Sequence, residues 1–102
     1  MKIEEMKRMT RAFILIEVTP GKERNVVDKL LEHEQVVEAH VITGKHDILA
    51  VLQVEREIAV PDADRVMHVL DKIRRTPEVL DTETILPVFS KTKFEEAHRP
   101  IT

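Results

Sequence analysis

The chain has no cysteine, no tryptophan and no tyrosine, and only two glycines among its 102 residues. Without cysteine there are neither disulfides nor thiolate zinc sites. With only Gly21 and Gly44 available, no dinucleotide fingerprint or phosphate-cradling loop can be written, because both need several glycines where backbone meets phosphate. A single serine, Ser90, leaves the usual activated nucleophiles nearly absent. No catalytic residue is assigned, and composition points away from an enzyme. No apolar run approaches the roughly 18 residues of a membrane span, and no secretory signal opens the chain, so a cytoplasmic protein with no membrane partner is expected. The scarcity of Asn and Gln beside dense charge resembles the bias of heat-adapted proteins.

What is present describes one folded domain. Hydrophobic residues make up 42% and charged residues 34%, with 16 Lys and Arg against 19 Asp and Glu for a net charge of −3. That is enough apolar material to offset the entropy of ordering one small core. A domain of this size hides only about 60 to 65% of its unfolded surface, so a partner subunit adds usefully to its stability.

Residues 1–10 read as a charged N-terminal arm and 11–89 as the domain. Ala12–Val18 is a β-branched and aromatic run closed by Thr19-Pro20-Gly21, the signature of a strand ending in a turn. Lys22–His33 places Val26, Val27, Leu30 and Leu31 on one side and charges on the other, as in an amphipathic helix. Val36–Thr43 and Ile48–Val54 read as two strands joined as a hairpin through Gly44-Lys45-His46-Asp47. A second helix starts at Pro61-Asp62, with Asp62 as its cap and Ala63, Val66, Met67, Leu70 and Ile73 as its apolar stripe; Pro77 stops it. Val79–Phe89 reads as the last strand, and Pro87 inside it requires a sheet edge. Residues 90–102 read as a charged C-terminal tail. The order strand, helix, strand, strand, helix, strand predicts an α+β, ferredoxin-like βαββαβ fold: a four-stranded antiparallel sheet of order 4-1-3-2 with both helices on one face.

Two helices cover one face only, yet the central strands do not alternate apolar with polar. Phe13 and Leu15 oppose Ile14, Ile16 and Val18; Leu49 and Val51 oppose Ile48, Ala50, Leu52 and Val54. Both faces are therefore apolar, and the expectation is an obligate dimer formed through the sheet faces, the alternative being a terminal segment folded across the bare face.

Few constellations carry chemistry. His33, His40, His46 and His68 do not fall at ligand spacings on a helix or strand, so no metal site is assigned. Carboxylate pairs such as Asp81 with Glu83, or Glu4 with Glu5, lack a pocket to separate their protonation states. Lys72, Arg74 and Arg75 read as the basic end of a helix rather than a phosphate site. In a net acidic chain whose three aromatics are all Phe, no direct nucleic-acid contact is expected. The hairpin segment Thr43-Gly44-Lys45-His46-Asp47 is different. Gly44 can take a positive φ, neighbouring N–H groups can converge on an anion, and Asp47 can accept from an ammonium. The same residues also suffice simply to make the turn, with Asp47 bonding its own backbone.

Val37–Val54, reading VEAHVITGKHDILAVLQV, resembles the hairpin of the effector-binding domain of the leucine-responsive regulatory protein/AsnC transcription-factor family, whose loop carries Thr-Gly-x-x-Asp. Pro77-Glu78-Val79 followed by Thr82-Glu83-Thr84 resembles that family's last strand, which opens on a Pro-Gly-Val-like turn and carries Thr-x-Thr. The Thr-Pro-Gly-Lys-Glu opening of the first helix is also similar. The resemblance spans about residues 12–89. It implies a ferredoxin-like domain that dimerises through its sheets and assembles further into tetramers or octamers. It implies also an amino acid or related small effector bound near the loop at contacts between dimers. By position, Thr43, Gly44 and Asp47 are the motif residues, Lys45 and His46 occupy the variable places, and Thr82 and Thr84 are contributors from the same or a neighbouring subunit. His46 stands where the family often has an aromatic, which bears on effector identity and on pH sensitivity. Full-length relatives carry an N-terminal helix-turn-helix domain that ten residues cannot build. The chain thus resembles a stand-alone effector domain, able to join mixed oligomers with DNA-binding relatives. No cofactor is implied. Two other classes compete with this metabolite-binding module: a structural or protein-interaction module with a vestigial pocket, and a small ferredoxin-like dimeric enzyme of the kind that binds haem or oxidises small aromatics.

Overall fold

The computed structural model describes residues 9–55, 59–91 and 93. Its elements run β1 (Met9–Val18), α1 (Glu23–Leu30), β2 (Val36–Val41), β3 (Ile48–Glu55), α2 (Asp62–Arg74) and β4 (Val79–Ile85). The sheet order is β2-β3-β1-β4, with every neighbouring pair antiparallel. This is the expected order read from the other edge, and the fold is ferredoxin-like. Among the described residues no helix is long and apolar enough to cross a membrane.

The two longest apolar runs became the central strands, because only a central strand is paired along both edges and enclosed enough to shelter a continuous run. Period-two alternation sends Ala12, Ile14, Ile16 and Val18 of β1, with Ile48, Ala50, Leu52 and Val54 of β3, into one core. There they meet Val26 and Leu30 of α1 and Val66, Val69, Leu70 and Ile73 of α2. Among the described residues no element covers the opposite face. Across it lie the cross-strand pairs Leu15↔Leu49 and Phe13↔Val51, with Ile85 beside Phe13. Phe13, Leu15 and Leu49 are half-buried, and Val51 is nearly enclosed. Most of the arm before β1 and of the charged tail lies outside the described residues.

Several boundaries differ from expectation for local reasons. β1 begins at Met9 rather than Ala12, so the last two residues of the expected arm pair with β3. α1 ends at Leu30, and the chain continues in tight turns, Glu32 N–H donating to the Lys29 carbonyl and His33 N–H to that of Leu30; Leu31 is thereby left exposed. The N-cap of α2 is Pro61, which places Asp62 inside the first turn and not at the cap. Its carboxylate instead accepts from the Thr10 hydroxyl at 2.7 Å, tying α2 to β1. The buried stripe of α2 includes Val69, while Ala63 and Met67 are exposed. Pro87 lies beyond β4, so it is not what makes that strand an edge; connectivity and the polar content of β4 do so. Both edge strands carry an irregularity. Val37 is the extra residue of β2 between Val36 and Glu38, and Leu80 is that of β4 opposite Glu17 and Val18. Such bulges twist a free edge away from further pairing.

Besides the β2–β3 hairpin, two turns use left-handed backbone. Thr19-Pro20-Gly21-Lys22 closes with the Lys22 N–H on the Thr19 carbonyl at 3.0 Å and Gly21 at φ 87°, the geometry of a type II turn. Glu78 takes φ 77° at the position where the resembled family turn has glycine. There its carbonyl receives the Thr19 N–H at 3.0 Å. A side chain in this region costs about 1 to 2 kcal/mol, partly offset by the greater unfolded-state entropy of glycine. Glu78→Gly is therefore expected to stabilise the protein by about 0.5 to 1 kcal/mol, read as a higher urea midpoint at unchanged m-value; an unchanged or lower midpoint would show that the turn carries no such strain.

Candidate functional site

The hairpin between β2 and β3 closes with the Ile42 N–H on the Asp47 carbonyl at 2.9 Å. The loop proper is thus Thr43-Gly44-Lys45-His46, one residue earlier than expected, and Asp47 is its closing residue. Thr43, Gly44 and Lys45 are exposed, whereas His46 and Asp47 are half-buried. Gly44 has φ 109°, and a Cβ built there would meet nothing within 4 Å. Its requirement for glycine is one of backbone conformation alone.

Asp47 is fastened to β1 twice. Its N–H donates to the Ile16 carbonyl at 3.0 Å, and its Oδ2 accepts from the Val18 N–H at 2.9 Å. The sequence allowed Asp47 to bond its own local backbone; its partner is instead 29 residues away, a pairing that no local pattern signals. His46 extends toward β4, where its Nε2 stands 3.4 Å from Glu83 Oε1. With Glu83 mostly exposed, such a pair contributes roughly 0.2 to 1 kcal/mol at most.

The threonines of β4 lie elsewhere. Thr82 pairs with Ile16 and Thr84 with Ile14, so both side chains share the helix-facing side with those buried isoleucines. The Thr82 hydroxyl accepts from Arg74 Nε at 3.2 Å, while the Thr82 N–H is held by its neighbour Asp81 at 2.9 Å. Within one chain the loop meets this part of β4 through His46 and Glu83, on the face of the sheet opposite to the one that the Thr82 and Thr84 side chains share. Arg74, expected only to complement a helix end, also stands 4.0 Å from Asp71.

No group of three or more His, Asp or Glu converges among the described residues. His68, Asp64 and Asp71 lie exposed on α2, and Arg75 lies exposed at its C-cap. A groove of about 600 Å³ opens at the opposite end of the sheet from the hairpin, between the start of β1, the end of β3 and the first turns of α2, with Met9, Glu34, Gln53, Val54 and Asp64 among its walls. None of the loop residues or of the two threonines lines it.

Replacing Gly44 by Ala is expected to cost about 1 to 2 kcal/mol through backbone strain. Asn, which tolerates positive φ better, should cost less. Equal losses for the two variants in chemical denaturation would place the requirement somewhere other than φ.

The family model described as the Lrp/AsnC ligand binding domain matches residues 11–97. The HTH-type transcriptional regulator FL11 of Pyrococcus abyssi is 31% identical over 90 residues, covering 88% of this chain and 54% of that protein. The chain thus spans about half the length of this curated relative. The crystal structure of FFRP-DM1 superposes with a TM-score of 0.62 at 35% identity, covering 78% of this chain and 99% of that one. The transcriptional regulator NMB0573 of Neisseria meningitidis, solved as a complex with L-Met, is 18% identical with a TM-score of 0.60 over 91% of this chain and 60% of its own. At that identity the likeness is one of fold. With its fold, its Thr43-Gly44-x-x-Asp47 hairpin and a match reaching from the third residue of β1 past the end of β4, the chain belongs to the Lrp/AsnC ligand-binding-domain family.

Proposed function

We propose that this chain is a small-molecule binding and oligomerisation module acting in transcriptional regulation, taking an amino acid or related metabolite at the Thr43–Asp47 hairpin. The observation that carries the reading is the juxtaposition, in a chain of this family, of that hairpin with an apolar sheet face that the described elements leave uncovered. Phe13, Leu15, Leu49, Val51 and Ile85 form an apolar centre, and Arg11, Glu17, Glu38, Gln53 and Glu83 stand around it. An apolar centre inside a polar rim is the usual anatomy of a protein interface. A second copy related by a two-fold axis would present the same patch and bury both, and further contacts between dimers would bring hairpins and β4 threonines from different subunits together. Thr43, Gly44, Lys45, His46 and Asp47 are the binding residues of this reading, and Thr82 and Thr84 enter from a neighbouring chain.

Ligand-linked assembly needs only that the metabolite bind one assembly state better than another; a difference of about 1 to 3 kcal/mol shifts populations appreciably. In this reading the link to transcription is mixed assembly with helix-turn-helix relatives such as the FL11-type regulators. A second reading, a structural module without a ligand, is favoured by one observation: the Asp47 carboxylate is already occupied on one oxygen by the Val18 N–H.

Native mass spectrometry and titration calorimetry with the standard amino acids, L-Met first because NMB0573 holds it, test the proposal together. Expected are even-numbered assemblies and saturable binding of at least one amino acid that changes their distribution. Binding without any change of assembly would favour a carrier, and assembly without binding the structural module. For the sheet face, Leu49→Glu is expected to convert the assembly to folded monomers at micromolar concentration, because a carboxylate would be buried unpaired at the interface centre; unchanged assembly would remove that face from the interface.

A further inference from the structure

The bare face of the sheet is apolar at its centre and acidic around it. Side chains directly opposite one another on paired strands share a face. The register therefore sets Glu55 beside Met9, Asp81 beside Glu17, Glu83 beside Leu15 and Glu38 beside Val51, all on the side of Phe13 and Leu49. Against Glu17, Glu38, Glu55, Asp81 and Glu83, the fixed cation that the described strands add to this face is Arg11. Lys29, Lys72 and Arg74 belong to the helices and lie on the other side of the sheet.

Two histidines stand within this acidic rim. His40, opposite Leu49, has its Nε2 2.9 Å from Glu38 Oε1, and Arg11 stands 3.8 Å from the other oxygen of that carboxylate. His46 reaches from the hairpin to Glu83 of β4 at 3.4 Å. The other charged groups at this end of the face are Glu17 of β1 and Asp81 of β4. In the loop itself stand the exposed Lys45 and Asp47, whose carboxylate holds the Val18 N–H. About half of Glu38 and His40 and most of Glu83 are open to water in the single chain, and pairs so exposed contribute little.

Closing two such faces changes that. Carboxylates of one copy approach those of the other, which opposes association, while loss of water strengthens each opposite-charge pair that remains. A proton on an imidazole relieves the first effect and gains from the second. Histidine is the side chain that changes charge between about pH 5 and 8.

We propose that association through the sheet face is proton-linked, with His40 and His46 taking up protons against Glu38 and Glu83 as two copies close. The assignment rests on the reading that this face is the interface. A proton held more tightly in the assembly than in the separate chain favours assembly at low pH, and the advantage is lost as pH rises through the histidine range. Uptake of one proton per copy lowers the dissociation constant of a dimer about a hundredfold per pH unit within that range. Any metabolite site formed between copies then responds to acidity through the same equilibrium.

Sedimentation equilibrium of the full chain at pH 8, 7 and 6 and fixed ionic strength tests this. The dissociation constant should fall at least about tenfold from pH 8 to pH 6, and less than about threefold in the double variant His40→Gln, His46→Gln. His68→Gln, on the exposed side of α2, should behave as the native chain. That comparison separates the histidines of the face from the general loss of repulsion when a net acidic chain is acidified. Glu38→Gln combined with Glu83→Gln should tighten association at pH 8 and flatten the profile, a gain that damaged folding cannot mimic. A constant that ignores pH, rises on acidification or falls equally in the histidine double variant overturns the proposal, as does weaker association of the Glu38, Glu83 variant at pH 8. Leu49→Glu distinguishes the two ways of failing. If the native chain is monomeric throughout, or Leu49→Glu leaves the assembly intact, the sheet-face reading falls and the linkage with it. If Leu49→Glu yields monomers while native assembly ignores pH, the linkage alone falls.

Discussion

The constraint from which most of this molecule follows is that two helices shelter one face of a four-stranded sheet whose central strands are apolar on both. On the helix side the outcome is a dense core in which Ala12, Ile14, Ile16, Ile48, Ala50 and Leu52 lose all contact with water. Full burial of a residue such as leucine or isoleucine is worth roughly 1.5 to 3 kcal/mol, and these residues hold β1 and β3 together at the centre. On the other side the same alternation produces a patch that one chain's described elements leave uncovered. A small domain gains stability from whatever hides such a surface, which is why function and assembly belong together in the proposed reading.

The sheet edges and the hairpin show how the remaining polar backbone is managed. Each edge strand carries an extra residue, Val37 in β2 and Leu80 in β4, that interrupts regular pairing. Where β1 outlasts its ladder with β3, a side chain supplies the missing acceptor. Asp47 thus sits in the motif position of the family and at the same time completes the backbone hydrogen bonding of the sheet. These two demands on one carboxylate need not conflict, since it offers two oxygens. Glu78 shows the opposite economy: the sequence departs from glycine at a left-handed position and the turn keeps its geometry regardless, because flanking contacts such as Thr19 N–H to Glu78 carbonyl over-determine it.

Much of the fold was legible in the sequence because it is written in local periodicity. β-Branched and apolar runs bounded by turn residues located all four strands, and the stripe Val26–Leu30 and the Val66, Leu70 and Ile73 stripe located both helices. The family was legible in the hairpin motif. Residues whose role is decided by their immediate neighbours, such as Gly21 and Gly44 at positive φ, were equally plain. Asp62 was not: its cap role was a local inference, and a contact 52 residues away, with Thr10, claimed its carboxylate. Val69 was legible but missed: it stands three residues after Val66, on the same stripe as Leu70 and Ile73, where the helical period itself places a core residue.

What the sequence determined by itself is the order of elements, the apolar character of both sheet faces and the identity of the hairpin, since each depends on residues close together in the chain. Tertiary structure alone decided which face Thr82 and Thr84 share, that His46 reaches Glu83, and that Asp47 reaches across to Val18. Those outcomes depend on register between strands far apart in sequence, and a register is fixed by the summed packing of an entire sheet, not by any one residue's preference.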